Sequence, residues 1–598
     1  MCGIIGGFGI NIKKENHIFE RAIKKLTHRG PDNQEINIMN DNIILGHTRL
    51  SIIDLDVRAN QPIVDKYGNV LVFNGEIYNY IELKKELQEY DFKTSSDTEV
   101  LLYLLDKFSV NDVLNKLNGM FAFIYWDNKN KKLIVARDRI GKKPLFFTQY
   151  KNKVYFSSEA KVFSDFGIKF EINKRAIINF LFDRKSGIAE DTFFDNVKSI
   201  ENSHYYIFEI RDNKIQYSKK TYYSLENIHT DNSISYKEAK LSFQDKFSQS
   251  LDLRMRSDVP IAFMLSGGLD SSAILSKVAH DYPNQTFTAI SAIYPNTKDD
   301  ESEYAQSVID KYSNIKKEFI VMNSDEFFEH LDQTIYAQET PIADGSMVAH
   351  NILMKKVSEL GIKVILSGNG GDEVLAGYNT HQNAYYAYLL KQLNFKDLGL
   401  KNIKYAFYHL FSSSIKEKIK KFLAIKKNFL NDNKLLNLRY KIYNEKYNDG
   451  DIVNFYLKMS LDSWTIPGFV WYEDRNAMQY SIESRDPFLD YKLIEEMLKI
   501  PGKYKLDNLY TKKILRDVMK GVLPQKILDR KDKKGFHSPI NKYEKYINYN
   551  EILNDKEFQN NFNYLNIEKI IQDEFIYRWR LFSIYKWYKI FKKDLKNG

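Results

Sequence analysis

The chain has 598 residues, 88 Lys and Arg against 78 Asp and Glu for a formal charge of +10, and a single cysteine. That length calls for two or three domains. A composition of 43% hydrophobic and 28% charged residues is globular and excludes a wholly disordered, collagenous or coiled-coil chain. One cysteine rules out a disulfide framework and a cysteine-based metal site. No apolar run reaches the roughly 18 residues of a membrane span, and MCGIIGGFGI lacks the basic and apolar regions of a signal peptide. The expected setting is the reducing cytoplasm. The charge excess is too dilute to argue for a nucleic-acid partner.

The cysteine stands at position 2. If Met1 is removed, Cys2 carries both a thiol and an α-amine, with ordinary pKa values of about 8.5 and 7.7–8.0. The residue then brings its own base. A single cysteine must stand somewhere, so its position alone decides nothing. Its surroundings say more: Gly3 to Phe8 reads as a buried strand whose glycines let another backbone or a ligand come close.

Further blocks follow at intervals: HRGPD at 28–32, GHTRLSIID at 46–54, FNGEIYNY at 73–80, SSDTEV at 95–100, LNGMFAFIYWD at 117–127 and ARDRIGKKPLFF at 136–147. With MCGIIGGFG they resemble the class II glutamine amidotransferases, which use an N-terminal cysteine nucleophile. The resemblance implies an N-terminal nucleophile hydrolase fold, an αββα sandwich, over residues 2–210. In it Cys2 attacks the amide carbon of glutamine. The oxyanion is met by the Asn74 side-chain amide and the Gly75 N–H. Arg49 forks onto the α-carboxylate, within the stretch Leu50, Ser51, Ile52 and Ile53. Glu76 and Asp97 take the α-ammonium. Taken singly, Arg49, Glu76 and Asp97 read equally as solvated surface charges.

Residues 200–240 alternate aromatic and polar positions and read as a hairpin, followed by a polar linker placed at 211–235. A helix is predicted from Tyr236 to about Met255. Pro260 to Leu265 is an apolar run of strand length. It leads into Ser266-Gly267-Gly268-Leu269-Asp270-Ser271-Ser272, with a helix predicted from Ala273 to His280. Strand, glycine turn and helix N-terminus together make a phosphate cradle, without the Gly-Lys-Ser/Thr of a Walker A loop. An ordinary strand-to-helix turn also carries glycine. A second strand, Lys363 to Leu366, ends in Ser367-Gly368-Asn369-Gly370-Gly371-Asp372-Glu373, and ligands of parallel sheets sit at such carboxyl ends. Thr286 to Ala292 is a third candidate strand.

SGGLDSS resembles the pyrophosphate loop of the ATP pyrophosphatases. With SGNGGDE, ESRDPFLD at 483–490, TKKILR at 511–516 and KKGF at 533–536, it resembles the synthetase half of glutamine-hydrolysing asparagine synthetase. The resemblance implies a parallel-sheet PP-loop domain over 236–545 and a helical extension over 546–598. ATP contacts are implied at Met264, Leu265, Ser266, Gly267, Gly268, Asp270, Ser271, Ser272, Ala292, Ser367 and Gly368. Mg²⁺ is implied on Asp270 and Asp372, and Lys512 is implied opposite the separating phosphates. Small-molecule partners and a homodimer are in keeping with the family. An apolar passage for ammonia between domains is also implied, with ARDRIGKKPLFF contributing.

Two positions depart from the family pattern. Asn369 stands where an acid is expected, and an amide cannot accept a proton at neutral pH; Glu373 or pyrophosphate are the substitutes. No Arg lies within 339–351, where one near Gly345 would read the aspartate carboxylate. The readings are therefore an asparagine synthetase, the same machinery acting on another carboxylate such as a uronic-acid sugar, or an inactive scaffold. The stretch 376–460 reads as helical. The interleaved basic and aromatic residues near 577–592 read as an amphipathic helix rather than an RNA-stacking surface.

Overall fold

The computed structural model describes residues 2–184, 190–297, 300–392, 394, 403, 429–431, 450–507, 510–532 and 540–596. KKGF at 533–536 and most of the 393–449 stretch lie outside the described residues.

Alternating apolar positions in the N-terminal third build two antiparallel sheets. The first runs Lys198–Ser199, Phe146–Tyr150, Lys153–Ser157, Gly3–Phe8, Ile43–Arg49, Asn33–Asn40. The second runs Lys214–Thr221, His204–Arg211, Lys132–Arg137, Gly119–Asp127, Val70–Ile77, Ile63–Val64. Ile4, Phe8, Leu45 and Phe156 of one face Val70, Val72, Ile124 and Val135 of the other. Helices Asp97–Lys107 and Val110–Lys116 cover the second sheet, and Asn16–Ala22 covers the first. The result is the αββα sandwich.

The linker boundary needs correction. Lys214–Thr221 pairs along its whole length with His204–Arg211, so residues 211–221 belong to the second sheet. Lys214–Thr221 is an edge strand exposed on nearly every residue, and so carries the polar composition of a linker. The connection ends at Ser235, which caps Tyr236–Arg254 in a reciprocal capping box with Glu238.

The third sheet is wholly parallel, in the order Ile315–Val321, Phe287–Ile293, Ile261–Met264, Val364–Leu366, Glu483–Arg485. Its strand order reverses between Ile261–Met264 and Val364–Leu366. That reversal is the topological switch point where such sheets bind ligands. Both glycine-rich turns leave from it.

The C-terminal helix Phe575–Phe591 is buried on most sides rather than amphipathic. Trp579 donates to Ile342 O at 3.1 Å, Trp587 to Glu339 O at 3.1 Å and Arg580 to Leu181 O at 2.6 Å. The extension therefore packs against both domains. Tyr577, Trp579, Tyr585, Trp587, Tyr588 and Phe591 of this helix are buried in the core.

Candidate active sites

The first site forms where the Gly3–Phe8 and Val70–Ile77 strands of the facing sheets meet. Cys2 is buried at 7% exposure, and its N–H donates to Asn74 Oδ1 at 3.0 Å. That bond fixes the amide flip, so Asn74 Nδ2 faces away from the backbone and has no protein partner among the described residues. An orphaned buried donor next to a thiol is chemically suited to receive an oxyanion. Gly75 follows, and a Cβ there would lie 2.0 Å from Met120 O. Only glycine lets that N–H approach the site. Burial pushes the Cys2 thiol up, opposed by the Leu50 N–H and Arg49.

Arg49 is not free to swing. Its guanidinium is held by Asp54 O, by Asp56 O at 2.9 Å and by Asn60 Oδ1 at 2.8 Å, which fold residues 53–60 into a loop around it. Ser51 N–H donates to Asp32 at 2.7 Å, and Ile52 O accepts from Asp258 at 3.0 Å, tying this loop to the parallel-sheet domain. Glu76 and Asp97 lie close enough for their carboxyls to repel. Asp97 accepts from Ile77 N–H at 2.8 Å. Burial raises both carboxyls, Asp97 to about 6, and neighbouring carboxylates add to the effect. Glu483, from the last strand of the parallel sheet, is one of them. Arg485 lies 3.7 Å from Glu76 and pairs with Glu483 at 2.6 Å. Three buried carboxylates against one guanidinium leave a negative excess suited to an α-ammonium. Glu483 and Arg485 belong to ESRDPFLD, a block whose part in this site was not foreseen.

The second site lies at the switch point. The helix after the first turn is Leu269–Asp281, starting four residues before its predicted start. Asp270, Ser271 and Ser272 therefore occupy its first turn rather than a loop, at the end of the helix dipole that favours an anion, and Ser272 N–H closes the first helical bond to Gly268 O at 3.1 Å. Leu265 N–H donates to Ile290 O at 2.8 Å, and Ser291 Oγ to Leu265 O at 2.6 Å, placing Met264 and Ala292 on adjacent strands. Ser266 Oγ lies 3.1 Å from Ser271 Oγ and accepts from Gly268 N–H at 3.3 Å, closing the loop. Arg530, not anticipated, donates to Gly267 O at 3.0 Å and pins the turn from outside.

The two glycine turns touch. A Cβ on Gly371 would lie 2.5 Å from the Asp270 carboxyl carbon, and one on Gly368 would lie 2.8 Å from Ser271 N. Lys512, with a left-handed backbone at φ 55°, pairs with Asp270 and, at 2.7 Å, with Asp372. Burial opposes its charge, but the two carboxylates outweigh it and hold its pKa up. Asp270, Asp372 and Lys512, distant in sequence, thus converge on one point. The Gly345 position caps the helix Ser346–Glu359. Arg475 reaches the preceding segment from another helix, but pairs with Glu339 at 2.8 Å and Glu159 at 3.3 Å.

Where the two domains meet lies an apolar seam of Leu50, Ile52, Ile53, Tyr78, Met120, Val364 and Met478. Buried ion pairs flank it, among them Arg29–Asp474 at 2.9 Å and Arg29–Glu159 at 3.1 Å. A small cleft of about 30 Å³, partly open to solvent, is lined from both domains by residues including Met120, Lys142, Asp486 and Leu489.

A sandwich with a buried near-terminal thiol, joined to a parallel sheet whose switch point carries a phosphate cradle, defines a two-site amidotransferase. Residues 1–223 match the glutamine amidotransferase domain family, and residues 242–576 match the asparagine synthase family. The chain is 30% identical over 575 residues to asparagine synthetase [glutamine-hydrolyzing] 1 of Bacillus subtilis, covering 90% of this chain and 87% of that one. It is 28% identical over 569 residues to asparagine synthetase [glutamine-hydrolyzing] 3 of the same organism, covering 89% and 86%. It is 27% identical over 549 residues to amidase chyE of Penicillium rubens, covering 83% and 80%. The chain belongs to the glutamine-hydrolysing asparagine synthetase family, ATP-using ligases that draw the amide nitrogen from glutamine.

Proposed function

We propose that this chain makes asparagine in the cytoplasm by adenylating the side-chain carboxylate of aspartate and capturing ammonia released from glutamine by Cys2. The observation that carries this reading is the convergence of Lys512 on Asp270 and Asp372 at the switch point, in a domain that meets the Cys2–Asn74–Gly75 domain along the apolar seam. Glutamine's amide carbon is attacked by Cys2 Sγ, and the developing oxyanion takes hydrogen bonds from Asn74 Nδ2 and Gly75 N–H. The α-ammonium sits against Glu76 and Asp97. Arg49, held by its own loop, contributes its charge to the α-carboxylate.

In the second site the Ser266–Ser272 turn cradles the pyrophosphate of ATP. Two carboxylates that share one ammonium suit Mg²⁺, which takes one or two carboxylates and completes its shell with phosphate oxygens. When bound, the ion would neutralise phosphate charge. Asp270 and Asp372 would hold it, freeing Lys512 to turn to the separating phosphates. Ammonia must arrive unprotonated, and the apolar seam supports a dry route.

A second reading is supported by the acceptor side. With no arginine in 339–351 and Arg475 committed to Glu339 and Glu159, no free guanidinium is set for aspartate there. A larger carboxylate, such as a uronic-acid sugar, would be accepted on the same machinery. Exchange of labelled pyrophosphate into ATP, with aspartate and with galacturonate, separates the readings. Exchange with aspartate supports asparagine synthesis, and its absence beside exchange with galacturonate overturns it. Exchange with neither acid would favour the inactive scaffold.

A further inference from the structure

An acyl-adenylate attacked by ammonia forms a C–N bond, breaks the acyl–O bond to AMP and must shed a proton from nitrogen. Asn369 cannot take that proton. Glu373, the alternative in the same turn, receives the Tyr378 hydroxyl at 2.5 Å. The turn has another outlet. Ser367 Oγ, which accepts from Asn369 N–H at 3.3 Å, lies 2.7 Å from Asp486 Oδ1 and 3.1 Å from Glu473 Oε1 as donor. Both carboxylates also pair with Lys142, which reaches in from the amidotransferase domain. All three side chains are at most 3% exposed. Lys142 and Asp486 also line the inter-domain cleft that adjoins the apolar seam.

The cluster holds two negative charges and one positive. A buried group of three with one uncompensated negative charge is a proton acceptor. The surrounding groups do not cancel the excess. His350 is pushed down to about 4, chiefly by burial, and stays neutral. Tyr472 is pushed far up by burial and then by Glu473, and stays protonated. Lys143 faces Asp474 at 3.6 Å. Burial first and Glu473 second raise Asp486 to about 6, against Lys142.

We propose that Asp486 and Glu473, acting through the Ser367 hydroxyl and held by Lys142, accept the proton that ammonia loses on attacking the adenylate, in place of the acid absent at position 369. Ser367 Oγ receives the proton from nitrogen as its own hydroxyl proton passes to the carboxylate, so the serine ends unchanged. Asp486 and Glu473 are positioning residues in the sense that they act through Ser367. The inference rests on the amidation reading given above.

The test uses the full chain with glutamine and whichever of aspartate and galacturonate supports exchange in the wild type. D486N and the triple variant K142V/E473A/D486V are compared. The triple removes the three charges together and leaves no lone buried ion. Both should keep pyrophosphate exchange and glutamine hydrolysis within about twofold while amide formation falls at least about tenfold. In the wild type at saturating glutamine, amide formation should fall with pH through about 6 as Asp486 takes a proton, and D486N should lose that limb. N369E added to the triple should restore amide formation. Wild-type amidation in the triple, a loss that N369E does not restore, or loss of exchange along with amidation would each overturn the proposal. Absence of exchange with both acids in the wild type strikes the amidation reading itself and takes this inference with it.

Discussion

In the amidotransferase half, Cys2, Asn74 and Gly75 stand ready around a donor that no protein group uses. In the synthetase half, Lys512 spans Asp270 and Asp372. The first site is preorganised for a substrate whose reacting group is neutral, so its dipoles can wait without a partner. The second, on the proposed reading, awaits highly charged phosphates, and Lys512, Asp270 and Asp372 pair with one another. Each arrangement follows from what a buried charge costs without a counter-ion. The sites should therefore respond differently to loss of a single group.

The contrast is sharpest at the nucleophile. Cys2→Ala should lower glutamine-dependent synthesis by at least about 10³-fold while ammonia-dependent synthesis continues, measured as product amide with each nitrogen source. Parallel loss of both would erase the separation of sites. Next comes Lys512→Ala, which removes the ammonium that Asp270 and Asp372 share. Pyrophosphate exchange should drop by about 10²–10³-fold, and glutamine hydrolysis should change little.

A smaller effect is expected from pH at the first site. Asp97, raised to about 6 by burial and by its neighbour Glu483, must be ionised to face the α-ammonium. The glutamine KM should rise as pH falls through about 6, by up to about tenfold per unit, and Asp97→Asn should give a high KM that no longer varies there.

The smallest effect concerns stability. Burial pushes His47 down to about 3, and it stays neutral against Phe73 O at 3.1 Å. The unfolded chain binds that proton from about pH 6.5 downward. His47 therefore stabilises the fold above that pH. The contribution is lost as pH falls toward 3, at up to about 1.4 kcal/mol per unit. Denaturant melts of His47→Asn across that range should show a shallower decline than wild type.

Legibility in the sequence also differs between the halves. The first site was readable because its groups sit in short blocks on neighbouring strands, Gly3–Phe8, Ile43–Arg49 and Val70–Ile77, whose alternation sets which side chains point inward. The glycine turns of the second site were readable for the same reason, each following an apolar strand. What escaped was long-range. Glu483 beside Glu76 and Lys142 against Glu473 and Asp486 depend on how two domains dock, and Arg530 on Gly267 depends on a contact across a long stretch of one domain; no local periodicity records either. The start of the Leu269–Asp281 helix was misplaced because Asp, Ser and Ser are weak helix formers inside a helix but favoured in its first turn. The Lys214–Thr221 strand was legible as part of a hairpin, but the linker boundary at 211 cut across it because an edge strand exposed on nearly every residue carries the polar composition of a linker.

The central claim is that nitrogen freed at Cys2 travels inside the molecule to an adenylate formed beside Asp270 and Asp372. Its most direct test is turnover with amide-¹⁵N glutamine in the presence of excess unlabelled ammonium, with mass spectrometry of the amide product. Product carrying the ¹⁵N label undiluted by the free pool is the expected result. Labelling that falls in proportion to the added ammonium would contradict the account.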